Sequence, residues 1–221
     1  ITLDASKVAA LTTISTELME DSDPAIGQVV TNQLAKDVAL KVDYEIYNGT
    51  GSPFNGFRDT STNTDINTTD KSDADIAYDD IINIQSDIME DNFDGGTHMV
   101  MHPKELGMIR KLKDAQSRPL FDEATFGSPL LSEHPKSMGT ILGLKVVVTT
   151  QIPTNLGSGS STDVIVLTQG VSGIYGIRRQ ARFNRDYQID TDNWKIQTNL
   201  RAAFVMKYQK SCGIIQNVTT S

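Results

Sequence analysis

Cysteine is nearly absent from this 221-residue chain: Cys212 stands alone, so no disulfide can form within it. A small disulfide-stapled scaffold is thereby excluded, and a lone thiol suits an intracellular origin. Aromatic residues are scarce at 6%. The core must therefore come from Ile, Val, Leu, Met and Ala, and the chain is long enough to bury a sizeable one. No apolar run approaches the roughly 20 residues that cross a bilayer as a helix, so no membrane partner is expected. Basic residues are outnumbered, 20 Lys and Arg against 28 acids, for a formal net charge of −8. That balance argues against a surface given over to nucleic acid, whose phosphates need Lys and Arg, but leaves room for a local basic face. Of the acids 21 are Asp, a residue of caps and turns more than of helix interiors.

What is present is a mixture of helical and extended signals. Residues 1–16 read as a strand, with Val8, Leu11 and Ile14 among Thr and Ser. Asp23 as N-cap and Pro24 as first residue open the strongest helical pattern, in which Ile26, Val29, Val30, Leu34, Val38, Val42 and Ile46 recur every three or four positions. It stops at Asn48-Gly49, which predicts a left-handed cap. Residues 49–72 read as loop. Ser72 and Asp75 resemble a capping box opening a helix to about Glu90. A strand is expected over His98 to Met101, then a helix from His102-Pro103 to near Asp114. Residues 115–140 read as irregular. Strands follow over 143–148, 164–167, 174–182, 188–198, 200–208 and 212–218. The elements do not alternate regularly, which predicts an α+β fold rather than a wound parallel sheet.

A catalytic constellation is hard to assemble from this inventory. His98 and His102 have zinc-helix spacing but flank a strand-like Met99-Val100-Met101, where positions four apart lie about 13 Å from each other. Gly157-Ser158-Gly159-Ser160-Ser161 lacks the lysine ending of a phosphate loop and reads as a turn. No nucleophile elbow occurs. The acids of residues 59–80 lack the spacing of a calcium loop and read as a solvated surface. No metal, cofactor or catalytic residue is therefore assigned. Arg178, Arg179, Arg182 and Arg185 form the one basic cluster. It suits pairing with acids of a neighbouring subunit better than nucleic acid, on the argument that stacking aromatics are not interleaved with it. Asp21 and Asp23 are further candidates for a subunit interface. The chain starts at Ile1-Thr2-Leu3-Asp4, neither a signal peptide nor a start methionine, which leads us to expect that an N-terminal portion is missing.

Five blocks, in order, carry a resemblance. Ile14-Ser15-Thr16-Glu17-Leu18-Met19-Glu20-Asp21-Ser22 is similar to a family pattern S-x-E-L-L-x-D-S that leads into a long spine helix. Leu34 to Glu45 resembles that helix. Tyr47-Asn48-Gly49-Thr50-Gly51-Ser52-Pro53 with Gly56 is similar to L-N-G-x-G-x-x-x-P-x-G. Met101-His102-Pro103 with Leu112-Lys113-Asp114 resembles an N-P helix ending in L-K-D, with His in place of Asn. Leu142 to Val146 resembles L-x-G-x-P-V, with Lys145 in place of Pro. The chain thus resembles the major capsid proteins of tailed phages with the HK97 fold. The resemblance implies a structural protein and not an enzyme. It implies a peripheral domain from 1–72 and 176–221, holding the end of an extended loop, the spine helix and long strands, and an axial domain over 73–175. It implies self-assembly into pentamers and hexamers of an icosahedral shell enclosing DNA, made in the host cytoplasm and located in the virion, with scaffold, portal or decoration proteins as further partners. Most of the extended loop would precede Ile1, and loops 55–72 and 115–140 would be contact arms, mobile in an isolated subunit. The alternatives are an encapsulin-type compartment shell with the same fold, or a sugar- or nucleotide-acting enzyme on an α+β scaffold. The family's covalent cross-link is not carried over, because Lys7 does not clearly match and the alignment slips around Trp194 to Arg201.

Overall fold

The structure, a computed structural model, describes residues 1–21, 26–113, 116–123 and 137–220. Its helices are α1 (Thr16–Asp21), α2 (Ile26–Asn48), α3 (Tyr78–Glu90) and α4 (Pro103–Lys111). Its strands are β1 (Ser6–Ser15), β2 (Asn67–Ala74), β3 (His98–Met101), β4 (Asp122–Glu123), β5 (Ser137–Ile141), β6 (Leu144–Val148), β7 (Ser161–Leu167), β8 (Gly173–Gln188), β9 (Asn193–Met206) and β10 (Cys212–Thr219). The chain forms two compact units, Ile1–Gly56 with Tyr175–Val205, and Phe57–Ile174 with Met206–Ser221. The resemblance implies divisions at 72/73 and 175/176. Residues 57–72 and the chain's end fall in the second unit because β2 pairs with β10 there.

The first unit is a helix laid on a three-stranded sheet of order β1-β9-β8. β1 runs antiparallel to β9, with Ser6 opposite Ala202 and Ser15 opposite Asn193. Its side chains alternate: Val8 and Ile14 are buried, whereas Lys7, Ala9, Leu11 and Thr13 are exposed. The 23-residue α2 is unbroken and about 34 Å long at about 1.5 Å per residue. It buries one narrow stripe, Leu34, Val38, Val42 and Glu45. Val38 and Val42 pack with Val8, Phe54 and Ala202; Leu34 packs with Ile14 and Ile196. Each aliphatic side chain so buried stabilises by about 1.5–3 kcal/mol. Lys41 Nζ lies 2.5 Å from the Glu45 carboxylate one turn on and compensates that buried charge. The caps proposed at Asp23 and Pro24 lie outside the described residues.

The end of α2 differs from expectation in its cause. Gly49 does not take the left-handed conformation. It is glycine because a Cβ there would collide with the carbonyl oxygens of Phe54 and Glu45. The following turn folds back so tightly that Gly56 N–H donates to Gly49 O at 2.7 Å.

The second unit is a seven-stranded mixed sheet of order β2-β10-β7-β3-β6-β5-β4. On one face Ile81, Ile84 and Ile88 of α3 and Leu106 and Ile109 of α4 pack on Met99, Met101, Leu144, Val146, Val164, Val166 and Ile215. At Gly213 a Cβ would strike Ile84 and Ile88, so glycine is what lets α3 settle onto β10. The opposite face is also buried. Val100, Ile165 and Ile214 face one another across three strands and have almost no exposure. Arg58 Nε donates to Asp163 at 2.6 Å on that face and ties residues 57–66 over it. Phe57, Asp59, Asn63 and Ile66 are buried in consequence. The expectation that 55–72 is a mobile contact arm is thus corrected; most of 115–140 lies outside the described residues.

β2 is a second correction. Asn67-Thr68-Thr69-Asp70 looks like loop, yet runs parallel to β10 at the sheet's edge, where one side stays wet and polar residues are admitted. The expected capping box at Ser72 and Asp75 gives way to strand. α3 begins later, where Asp80 accepts from the Ala77 N–H at 2.7 Å. His102 caps α4, its Nδ1 accepting from Lys104 N–H at 3.2 Å, and α4 closes at Lys111 rather than near Asp114.

Candidate subunit interface

β8 is the edge strand of the first unit's sheet and carries the arginine cluster. Arg178, Arg182 and Arg185 are exposed; Arg179 is half-buried. The four do not act as one patch. The Arg179 guanidinium is committed within the chain, one Nη donating to Asn199 Oδ1. Arg185 lies over the Trp194 ring at 5.9 Å, and Trp194 meets Tyr187 at 5.2 Å between centroids. Phe183 sits between Arg182 and Arg185. The argument that aromatics are not interleaved with this cluster is therefore corrected: Phe183 and Tyr187 stand within the same run of sequence, and Trp194 joins them from the next strand. Asp21 ends α1 in an exposed position; Asp23 lies outside the described residues.

The turn joining β8 to β9 is pinned. Thr16 Oγ1 donates to Asp192 Oδ1 at 2.8 Å, Thr16 N–H donates to Asp192 O at 3.2 Å, and Tyr187 Oη donates to Asp192 Oδ1 at 2.8 Å. These bonds hold the Asp192 carboxyl below its ordinary range, the Thr16 bond first, and the Asp192 carboxylate in turn raises the Tyr187 phenol. Asp192 takes φ +49°, the left-handed position the turn needs. Ile189 is left at 86% exposure on the tip.

Among the described residues, no other element of this unit packs on the sheet face away from α2. On that face Leu11 is 59% exposed, and Lys7 stands directly opposite Arg201 in the β1–β9 register; on the edge strand β8, Ile177 is 55% exposed. Like charges opposite each other disfavour the sheet. Arg201 partly relieves this by donating to Ala5 O at 3.0 Å. Near that end a hollow of about 270 Å³ is lined by Leu3, Ala5, Gly176, Ile177, Arg178 and Ala203.

The second unit accounts for the remaining sequence candidates. His98 is buried with its Nδ1 2.8 Å from Thr97 Oγ1, and burial lowers the His102 pKa. Burial pushes the Cys212 thiol up to about 12, so it is inert. The acids of 59–80 serve as acceptors: Asp59 from Ser61 Oγ at 2.5 Å, Asp70 from Asn217 Nδ2 at 3.0 Å, and Asp73 from the Ser158 N–H and Ser161 Oγ. Glu105, which the sequence did not single out, is fully buried, and neither carboxyl oxygen has a partner among the described residues. Burial, with the Asp75 charge second, pushes its pKa up to about 7. Its place in the first turn of α4, among residues of ordinary helical type, gives no signal in the sequence.

The profile of the family described as the Phage capsid family matches residues 1–212. No curated protein sequence matches the chain. Among solved structures the chain is similar to the capsid of an empty GTA particle computed with C5 symmetry, at 17% identity over 99% of this chain and 74% of that one, with a TM-score of 0.75. It is similar to the holo-SrpI encapsulin complex from Synechococcus elongatus, at 14% identity over 98% and 75%, with a TM-score of 0.72. It is similar to a chain of Mycobacterium phage Adephagia, at 11% identity over 96% and 72%, with a TM-score of 0.68. At such identities the likeness establishes the fold, which is the HK97-like α+β fold.

Proposed function

The chain belongs to the phage capsid family, and from that premise we propose that it is a major capsid protein, a structural subunit that packs against copies of itself in pentamers and hexamers to close an icosahedral shell around DNA in the virion. The observation that carries this reading is the half-clad first unit. Its long helix covers one face of its sheet, while the other face presents Leu11 among Lys7 and Arg201, and the edge strand β8 adds the exposed Ile177 and Arg178. Apolar side chains within a charged surround are the anatomy of a protein interface. In this reading the first unit is the peripheral domain and the second the axial domain. Arg178, Arg182, Arg185 and Asp21 are contact residues, and Arg179 shapes the surface from within. DNA, scaffold, portal and decoration proteins are the further partners it implies.

Negative-stain microscopy of the full-length protein tests the proposal. Closed shells or capsomer rings are expected; persistent monomers across concentration would overturn it. The likeness to an encapsulin supports a second reading, a compartment shell with the same fold. Packaged DNA inside purified shells supports the first reading, and packaged enzyme the second.

A further inference from the structure

The two ends of the β8–β9 hairpin are complementary to each other. At the tip, Ile189 is the most exposed large apolar residue among those described, at 86%. A β-branched side chain is a poor choice for a turn, where Gly, Asn, Asp and Ser serve better. Nothing among the described residues repays the exposure. Thr16 and Tyr187 fix the turn through Asp192, so the tip is held rigid before any partner arrives. That lowers the ordering cost of binding. Asp190 beside it is exposed and makes no ion pair among the described residues.

At the root is the hollow described above. It is lined mostly by apolar residues, Leu3, Ala5, Gly176, Ile177 and Ala203, together with Arg178. A Cβ on Gly176 would lie 3.3 Å from Leu3 Cδ1, so glycine there leaves the hollow wider. Arg178 is exposed and likewise makes no ion pair among the described residues. The hollow, about 270 Å³, has room for one branched aliphatic side chain with the carboxylate next to it. Tip and root lie twelve residues apart on β8, about 40 Å at about 3.3 Å per residue. One copy therefore cannot fill its own hollow.

We propose that Ile189 of one copy seats in the Ala5–Ile177–Ala203 hollow of a second copy, with Asp190 meeting Arg178. The proposal rests on the reading of the chain as a self-assembling shell subunit and names the surfaces that meet. Because knob and hole are different surfaces, the contact is head to tail, the kind that propagates into rings or nets rather than stopping at a dimer.

Cysteine pairing in the full-length protein tests it. Ile189→Cys and Ile177→Cys are both exposed positions, and Cys212 is buried, so background is low. Assembled shells of the double variant, oxidised with diamide, are expected to give a ladder of dimer, trimer and higher species on a non-reducing gel, and neither single variant should. Dimers from Ile189→Cys alone would place tips against tips. Shells that form without a ladder in the double variant would place another occupant in the hollow. Either result overturns the proposal. Failure of the unsubstituted protein to form rings or shells would instead remove the self-assembly reading beneath it. As a second measurement, Asp190→Arg and Arg178→Asp should each lower shell yield about tenfold, and the two together should restore it to within about twofold. Singles that assemble normally would count against the contact.

Discussion

Both units of this protein are built on a sheet, and they treat its two faces differently. In the second unit α3 and α4 cover one face, while Arg58 and the 57–66 segment close the other over Val100, Ile165 and Ile214. In the first unit α2 covers one face, and the other keeps Leu11 in the open. The same strand pattern, alternate residues in and out, therefore carries two meanings. In one sheet both sets of side chains belong to the folded chain. In the other, one set stays exposed in the single chain. Substitutions should separate stability from association accordingly.

The largest loss should come from Ile84→Ala, which empties a fully buried site between α3 and Gly213. Denaturant titration should show a cost of about 4 kcal/mol. The equivalent deletion in the first unit, Val38→Ala, should cost about 2 kcal/mol, because that core is one stripe deep. Equal losses would erase the contrast between the units. Next is Arg58→Ala, which leaves Asp163 buried without its cation and should cost about 3 kcal/mol, read in the same way.

Glu105→Gln should act in the opposite direction. The folded-state pKa of Glu105 is raised to about 7 from an ordinary 4.5, so the native state holds a proton that the unfolded chain releases. Stability then falls as pH rises from about 4.5 to 7 and is flat above. Replacing the acid by its neutral isostere should raise the unfolding free energy at pH 8 by about 2–3 kcal/mol and change little at pH 4.5. A stability–pH profile of the two proteins that stays parallel through this window would remove Glu105 as its cause. The smallest effect should be Leu11→Ser, within about 0.5 kcal/mol by denaturation. The same change at Val8, three residues away on the covered face, should cost severalfold more. If both are equally harmful, the uncovered face is covered after all.

Much of this was legible in the sequence where side chains must satisfy a period. The stripe of Leu34, Val38 and Val42 announces α2, and Met99-Val100-Met101 and Val164-Ile165-Val166 announce strands buried on both faces. β2 was not legible because its neighbour β10 supplies the apolar contacts, so Asn67-Thr68-Thr69-Asp70 needs none of its own. The reason for Gly49 was not legible either, since it lies in Phe54 O, a group five residues on. The arginine run was visible as a run. Its division between Asn199 and Trp194 was not, because both partners arrive from the adjoining strand, and Ile189 carried no signal until the turn had a shape.

Neither unit is a contiguous stretch of chain: the first is opened by residues 1–56 and completed only by 175–205. During synthesis, β1 and α2 leave the ribosome about 120 residues before the strands they pack against, which at about 5–20 residues per second is a wait of about 6–24 s. For that interval Val8, Ile14, Leu34, Val38 and Val42 have no sheet to close on. Exchange of such late-arriving strands between copies is the misassembly this discontinuous topology is open to.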